Sequence, residues 1–446
     1  MTNLFSHLIL LILFQFTSTS FFAQEASEYC PGKLSHPPHQ DCIPAELSAM
    51  FKKQIAENRD ALIRSGKLKS NRNALPPMFI WPMRQADGFN YPGFFAISNY
   101  VDHDATTNVQ DYNCGSRTYD GHDGTDIRIA PFRWNKMANG EVEIVAAADG
   151  VIINKADGNF DQSCAWGSGI PWNAVFVEHT DGTVTWYGHM KNGSTTTKDT
   201  GDTVAAGEYL GLVGSSGNST GPHLHLEVYD PLGNLIDPFQ GTCNSLNSDT
   251  WWLNQSPYFD SGVNRLITAT QQWTSPPCPQ QSQIFEREDY DQGDPITFSV
   301  HFRNDIAANS SQITAFEPDG DTSSILNVLY QAGGFSTNNS IFYNRTIPDD
   351  AEQGKWIFEV VYNTTSYGVL IYQEEFWVAE DCQTNIVHED PLSIDAYYQA
   401  SNTITSSSVI SNNTHIVYDA ENIITLLPGF RALVSSKLEI KTAGCN

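Results

Sequence analysis

The stretch GPHLHLEVYD, residues 221–230, alternates apolar and polar side chains with the period of a half-buried β-strand. Its two histidines, His223 and His225, would share one face of that strand, with Cα atoms about 6.5–7 Å apart. Both imidazoles, only one of them, or neither could grip a metal. The surroundings have to separate these readings.

Upstream, AVFVEHTDGTVTWYGHM (174–190) reads as a β-hairpin turning at Asp181-Gly182, and EVEIVAAADGVIINKADG (141–158) as a second hairpin turning at Asp149-Gly150. Further upstream, YDGHDGTDIRIA (119–130) sets His122 four residues before Asp126. Gly121 and Gly124 argue against a helix there, so a tight loop entering the strand DIRIA is expected. Such a loop can fold a neutral imidazole and a carboxylate onto one cation, and nitrogen and oxygen donors together suit Zn²⁺. Five of the twelve histidines lie in this segment: His122, His179, His189, His223 and His225. No H-E-x-x-H helix occurs, which excludes a site of the thermolysin type with its glutamate base.

The strings GHDGTDI, VEHTDGTVTWYGHM and GDTVAAGEYLGLVGSSGNSTGPHLHLEV resemble the lysostaphin-type zinc endopeptidases, the family of glycyl-glycine endopeptidases and β-lytic metallopeptidases. The resemblance covers roughly residues 76–240. It implies one zinc held by His122, Asp126 and His225, with His189 and His223 as the catalytic pair. The chemistry is consistent with that division. Three protein ligands leave a position for water, whereas four would close the site. Zinc acidifies its water and polarises the scissile carbonyl, and an imidazole beside it can carry the proton. His223 suits the base, and His189 would orient the water or stabilise the oxyanion. His179, beside the Asp181-Gly182 turn, reads as structural, while Tyr187 either lines the cleft or packs. His36, His39, His103, His301, His388 and His415 read as ordinary polar positions. Two segments depart from the family pattern and would border the cleft: the long approach to His122 (94–121) and the insertion carrying Cys164 (154–175).

The rest of the chain fits a secreted, mainly β protein. Acids outnumber bases 51 to 24, a net charge of −27, which argues against nucleic acid and anionic membranes as partners. Residues 1–23, with an apolar run from Leu8 to Phe16, read as a signal peptide cut after Ala23. The absence of Lys or Arg before that run, and Phe21 near the cut, leave an uncleaved anchor as the competing reading. Secretion, to the periplasm, cell surface or medium, follows. Eight cysteines without a CxxC pair fit disulfides, and their positions suggest Cys30–Cys42, Cys114–Cys164, Cys243–Cys278 and Cys382–Cys445.

Within residues 24–75, a possible pro-segment, PAELSAMFKKQIAENRDALIRSG (44–66) is the one convincing helix, opened by Pro44 and closed by Gly66. The antiparallel zinc peptidase domain is expected over 76–245. An Ig-like β-sandwich is expected over 265–380, from PITFSVHFRN, KWIFEVVYN and GVLIYQEEFWV. A small stacked β module follows over 382–446, similar to modules appended to secreted proteins of Bacteroidetes-like bacteria. The expected function is a secreted, monomeric zinc metalloendopeptidase cutting peptidoglycan cross-links or stem peptides, or an extracellular protein. The alternative is a non-catalytic wall-binding or regulatory module on the same fold.

Overall fold

The structure is a computed structural model that describes residues 43–445, apart from 70, 72, 73 and 168–170. The signal peptide and the Cys30–Cys42 pairing lie outside these residues. The architecture is mainly β, and the described residues form two α-helices.

The first helix, α1 (Ala45–Arg64), follows Pro44 as expected; Ser65 caps its end and Gly66 takes a left-handed φ of 73°. Its buried face carries Phe51, Ile55 and Leu62. The second, α2 (Arg133–Asn139), was not anticipated: it has two turns, closed by Gly140 in the left-handed conformation.

Eleven strands build the histidine-bearing unit. They are β1 (Met83–Gln85), β2 (Phe95–Asn99), β3 (Thr125–Ile129), β4 (Val142–Val145), β5 (Gly150–Ala156) and β6 (Ala174–Glu178), then β7 (Val184–Gly188), β8 (Thr203–Val204), β9 (Tyr209–Leu212), β10 (His223–Tyr229) and β11 (Leu235–Ile236). The main sheet runs β2-β3-β10-β7-β6-β5-β8, with β11 paired to β10, and β1-β4-β9 form a small second sheet.

The hairpin at Asp181-Gly182 is present, joining β6 to β7. The one expected at Asp149-Gly150 is not: β4 pairs with β1 and β9, and β5 pairs with β6 and β8. Gly150 serves a different purpose. A Cβ there would stand 2.4 Å from Val177 Cγ1 and 2.6 Å from the Glu178 carbonyl oxygen, so the glycine lets β5 close onto β6.

One face of the main sheet packs Ile127, Ile129, Val175, Val177, Leu224 and Leu226 into the core shared with the small sheet. The opposite face is divided. One end carries the histidines; the other, with Phe176, Trp186 and Tyr229, is covered by α1. Phe51 meets Phe176 with ring centroids 5.0 Å apart, Arg59 pairs with Glu178 at 3.0 Å, and Asn58 Nδ2 donates to the Ile153 carbonyl at 2.9 Å. Burying each such apolar side chain contributes about 1.5–3 kcal/mol.

Downstream lie β12 (Gly262–Ala269), β13 (Asp289–Tyr290), β14 (Pro295–Asp305), β15 (Ser310–Phe316), β16 (Thr322–Gln331), β17 (Ser336–Thr346), β18 (Gly354–Thr364) and β19 (Gly368–Val378). They form the sheets β12-β14-β17 and β13-β19-β18-β15-β16, whose inner residues, Phe298 against Phe358 among them, share one core. β14 and β17 also lie against β2. There the buried Arg117 donates to the carbonyls of Ile97 and Tyr258 and to Asn304 Oδ1, tying the two units together. The tail is a stack of parallel pairs, running from β20 (Gln383–His388) through β21 (Ala396–Ser406), β22 (Val409–Ile410), β23 (His415–Ala420), β24 (Ile423–Leu426) and β25 (Arg431–Ala432) to β26 (Lys437–Lys441).

The disulfides correct two pairings. Cys382–Cys445 closes the tail as expected, but the others are Cys114–Cys243 and Cys164–Cys278. Each of these two ties a loop of the histidine-bearing unit to chain more than a hundred residues further on, with separations of 129 and 114.

Candidate metal and catalytic centre

Strand register assembles the centre. Across β2, β3, β10 and β7, the residues Asn99, Asp126, His225 and Gly188 stand side by side in one row. One step along β10, on the same face, His223 stands opposite Arg128. His122 enters from the loop before β3, and His189 from the residue after β7.

Three donors converge. Asp126 Oδ1 lies 2.8 Å from His225 Nδ1 and 3.2 Å from His122 Nε2, and those two nitrogens are 3.3 Å apart. All three residues are buried and together form a group able to hold a metal ion. The far side of each imidazole shows why a cation belongs there. His122 Nδ1 faces the Tyr100 carbonyl at 2.6 Å, and His225 Nε2 faces Glu227 Oε1 at 2.8 Å. Each of those partners only accepts, so the ring nitrogen facing it carries the proton, and the other nitrogen turns a lone pair to the centre. Two lone pairs and a carboxylate oxygen repel one another unless a positive charge lies among them.

The supports extend outward. Tyr229 Oη donates to Glu227 Oε2 at 2.7 Å, and Asn99 Nδ2 donates to Asp126 Oδ2 at 2.9 Å, which leaves Oδ1 to the histidines.

His223 and His189 follow the same tautomer logic. His223 Nδ1 faces the Gly221 carbonyl at 2.8 Å, and its Nε2 stands 3.4 Å from Asp126 Oδ1. His189 Nδ1 faces the Ser216 carbonyl at 2.5 Å, and its ring lies 4.4 Å from that of His223. Both present Nε2 as the basic nitrogen. His189 holds a φ of 58°, a left-handed conformation costing about 1–2 kcal/mol in a non-glycine residue. Trp172 lies behind His189 and His225, its ring 5.3 Å from the first and 5.8 Å from the second. The bare Cα of Gly188 admits it, since a Cβ there would stand 1.9 Å from the indole.

The remaining residues divide differently from the expectation. His179 is buried against the Asp149 carbonyl and Thr185 Oγ1, a structural position. Tyr187 packs in the core, where its Oη accepts from the Ala147 amide, and takes no part in the cleft. Of the positions read as ordinary polar ones, His301 is buried, and the side chain of His103, 1% exposed, pairs through Nε2 with Asp237 at 2.9 Å. Asn99, Trp172, Glu227 and the Tyr100 carbonyl were not anticipated. Glu227 had a readable signal, because it follows His225 by two residues and so shares its strand face.

Residues 120–238 match peptidase family M23. The DD-carboxypeptidase/endopeptidase Mpg of Neisseria meningitidis is 43% identical over 83 residues, which are 19% of this chain and 16% of that protein. The match therefore spans about a sixth of the length of that relative. Among solved structures, the catalytic domain of the prophage-encoded M23 protein EnpA from Enterococcus faecalis is 30% identical, covering 34% of this chain and 94% of its own, with a TM-score of 0.21. The catalytic domain of lysostaphin from Staphylococcus simulans is 23% identical, covering 31% of this chain and 85% of its own, with a TM-score of 0.19.

Proposed function

We propose, from the premise that residues 120–238 are an M23 peptidase domain, that the chain is a secreted zinc metalloendopeptidase hydrolysing peptide bonds of peptidoglycan. One observation carries the reading. His122, Asp126 and His225 aim two lone pairs and a carboxylate oxygen at one buried point, and each has its remaining polar atom held elsewhere. A set of two nitrogens and one oxygen fits Zn²⁺ and has the ligand number of catalytic rather than structural zinc sites. Zinc there would polarise the scissile carbonyl and acidify the attacking water.

The chain's own residues supply the proton handling. His223 Nε2 takes the water's proton and passes it to the leaving amine, with its ring fixed by the Gly221 carbonyl. His189, fixed by the Ser216 carbonyl, orients the water from the neighbouring side. Glu227 and Tyr229 keep His225 in the tautomer that binds the metal. Trp172 packs behind His189 and His225.

The substrate class is supported by the DD-carboxypeptidase/endopeptidase name of the Neisseria relative, and secretion by the N-terminal sequence and the disulfides. The test is digestion of purified sacculi by the zinc-loaded chain, with mass spectrometry of the released material. Soluble peptides should appear, disappear with a chelator and return with zinc. Zinc binding without cleavage of sacculi, oligoglycine or casein would instead identify a non-catalytic binding module.

A further inference from the structure

The helix α1 precedes the histidine-bearing unit in the chain and packs on the same sheet face as the histidines, at its other end. As part of a possible pro-segment it could restrain that unit or belong to it. What it touches separates the two.

Phe51, 2% exposed, stands at the junction. Its ring centroid lies 5.0 Å from that of Phe176, 6.2 Å from Trp172 and 6.3 Å from Trp186. Both tryptophans lead on to the candidate centre. Trp172 lies behind His189 and His225 at 5.3 and 5.8 Å. Trp186 lies 5.0 Å from Tyr229, whose hydroxyl donates to Glu227 Oε2, while Glu227 Oε1 faces His225 Nε2. Lys52, the next residue of α1, sets its ammonium 4.7 Å from the centre of the Tyr229 ring. Two adjacent residues of the helix thus stand behind both supports of one metal ligand.

The Trp172 indole is the movable link. The backbone there is tied: Asn159 Nδ2 donates to the Trp172 carbonyl at 3.1 Å, and the Asn173 amide to Ser216 Oγ at 2.8 Å. The ring is not. Its buried Nε1 has no hydrogen-bond partner among the described residues, so packing alone places it. Gly188 and Gly217 press bare Cα atoms against the residue; a Cβ would stand 1.9 Å from the indole at the first and 2.9 Å from Trp172 Cβ at the second. Phe51 fills space beside the same ring. Deleting a buried ring leaves a cavity that its neighbours relax into only partly, and a neighbour without a polar anchor is the one free to shift.

We propose that α1 is a working part of the metal centre and no restraint on it, with Phe51 as a positioning residue. It acts through Trp172 on His189 and His225, and through Trp186 and Tyr229 on Glu227. This rests on the metal site put forward above and deepens it. A segment that inhibits by occlusion must cover the side from which substrate arrives, whereas α1 packs on residues behind the ligands.

The test uses the full chain carrying Phe51→Ala, Phe51→Leu or Leu62→Ala, each checked for folding by near-UV circular dichroism at the assay temperature. Leu62 is buried under the same helix against Gly201, eleven residues or about 16 Å from Phe51. Zinc affinity is read by competition with a chelator, and the geometry of the centre by the visible absorption bands of the cobalt(II)-substituted chain. Phe51→Ala should weaken zinc affinity about tenfold and shift the cobalt bands. Phe51→Leu should recover most of both, and Leu62→Ala should match the wild type. If Phe51→Ala does not fold, Phe51→Val takes its place with the same readings.

Wild-type zinc affinity and cobalt bands in Phe51→Ala would overturn the inference. So would equal changes in Leu62→Ala, which would trace the effect to general loosening of the helix. Faster peptide release from sacculi by Phe51→Ala would overturn it too, by making α1 a restraint. The metal readings need no substrate. Zinc affinity that depends on Phe51, without cleavage of sacculi, keeps this inference and removes the peptidase reading; cleavage with zinc affinity independent of Phe51 does the reverse.

Discussion

His225 and His301 occupy similar places: each lies within a strand of a multi-stranded sheet, and each is almost completely buried, at 0% and 2% exposure. Their surroundings differ. His225 has an acid on both nitrogens, Asp126 and Glu227, and His122 beside it. His301 has Ser340 Oγ at 2.7 Å and the rings of Phe132 and Trp273. Burial, and then the positive charges of Arg265 and Lys136, push its pKa down to about 3. Burial of a histidine is therefore not a sign of function in this chain. What sets the candidate centre apart is the convergence of imidazole nitrogens on the Asp126 carboxylate.

The comparison is broken most sharply at the ligands. His225→Ala, like His122→Ala or Asp126→Ala, should abolish zinc binding and lower peptide release by at least about a thousandfold. Next comes His223→Ala, which should lower the rate by about 10²–10⁴ while zinc stays bound, checked by metal analysis alongside sacculus digestion. Glu227→Gln removes the acid behind His225. It should weaken zinc affinity by about 10–100-fold, measured by competition with a chelator.

The smallest effect belongs to His301. Its folded pKa of about 3 lies below the 6.5 of an ordinary histidine, so between those values the unfolded chain binds more protons. Stability should fall as pH drops below about 6.5, by about 2 kcal/mol at pH 5 from this group. His301→Leu should flatten that part of the pH profile, read by denaturant titration, and leave peptide release unchanged. If it altered activity as His223→Ala does, the distinction between the two buried histidines would fail.

Local sequence carried much of this arrangement. The period of two in HLHLEV announces β10 and a shared histidine face, and Leu47, Met50, Phe51 and Ile55 at helical spacing announce α1, in which Phe51 and Ile55 are buried. The misread features depend on partners distant in the chain. Asp149-Gly150 has the composition of a hairpin turn, yet Gly150 is required by the approach of β6, which no local pattern reveals. The disulfides of Cys114 and Cys164 follow the path of long loops across the fold, and proximity in sequence pairs them wrongly. Asn99 reaches Asp126 only through the β2–β3 register, and the Tyr100 carbonyl is backbone, without a residue type to read. His223 and His225, identical in type and adjacent on one face, differ in their place in the cluster: His225 Nδ1 stands 2.8 Å from Asp126 Oδ1 and 3.3 Å from His122 Nε2, whereas His223 Nε2 stands 3.4 Å from Asp126 at the rim.

That difference is the central claim, and zinc content measures it directly. Purified wild-type chain, His223→Ala and His225→Ala would be loaded with zinc, desalted and assayed by mass spectrometry for metal per chain. The wild type and His223→Ala should each retain about one equivalent and His225→Ala essentially none. Loss of zinc from His223→Ala as complete as from His225→Ala, or a wild type that retains none, would contradict the account.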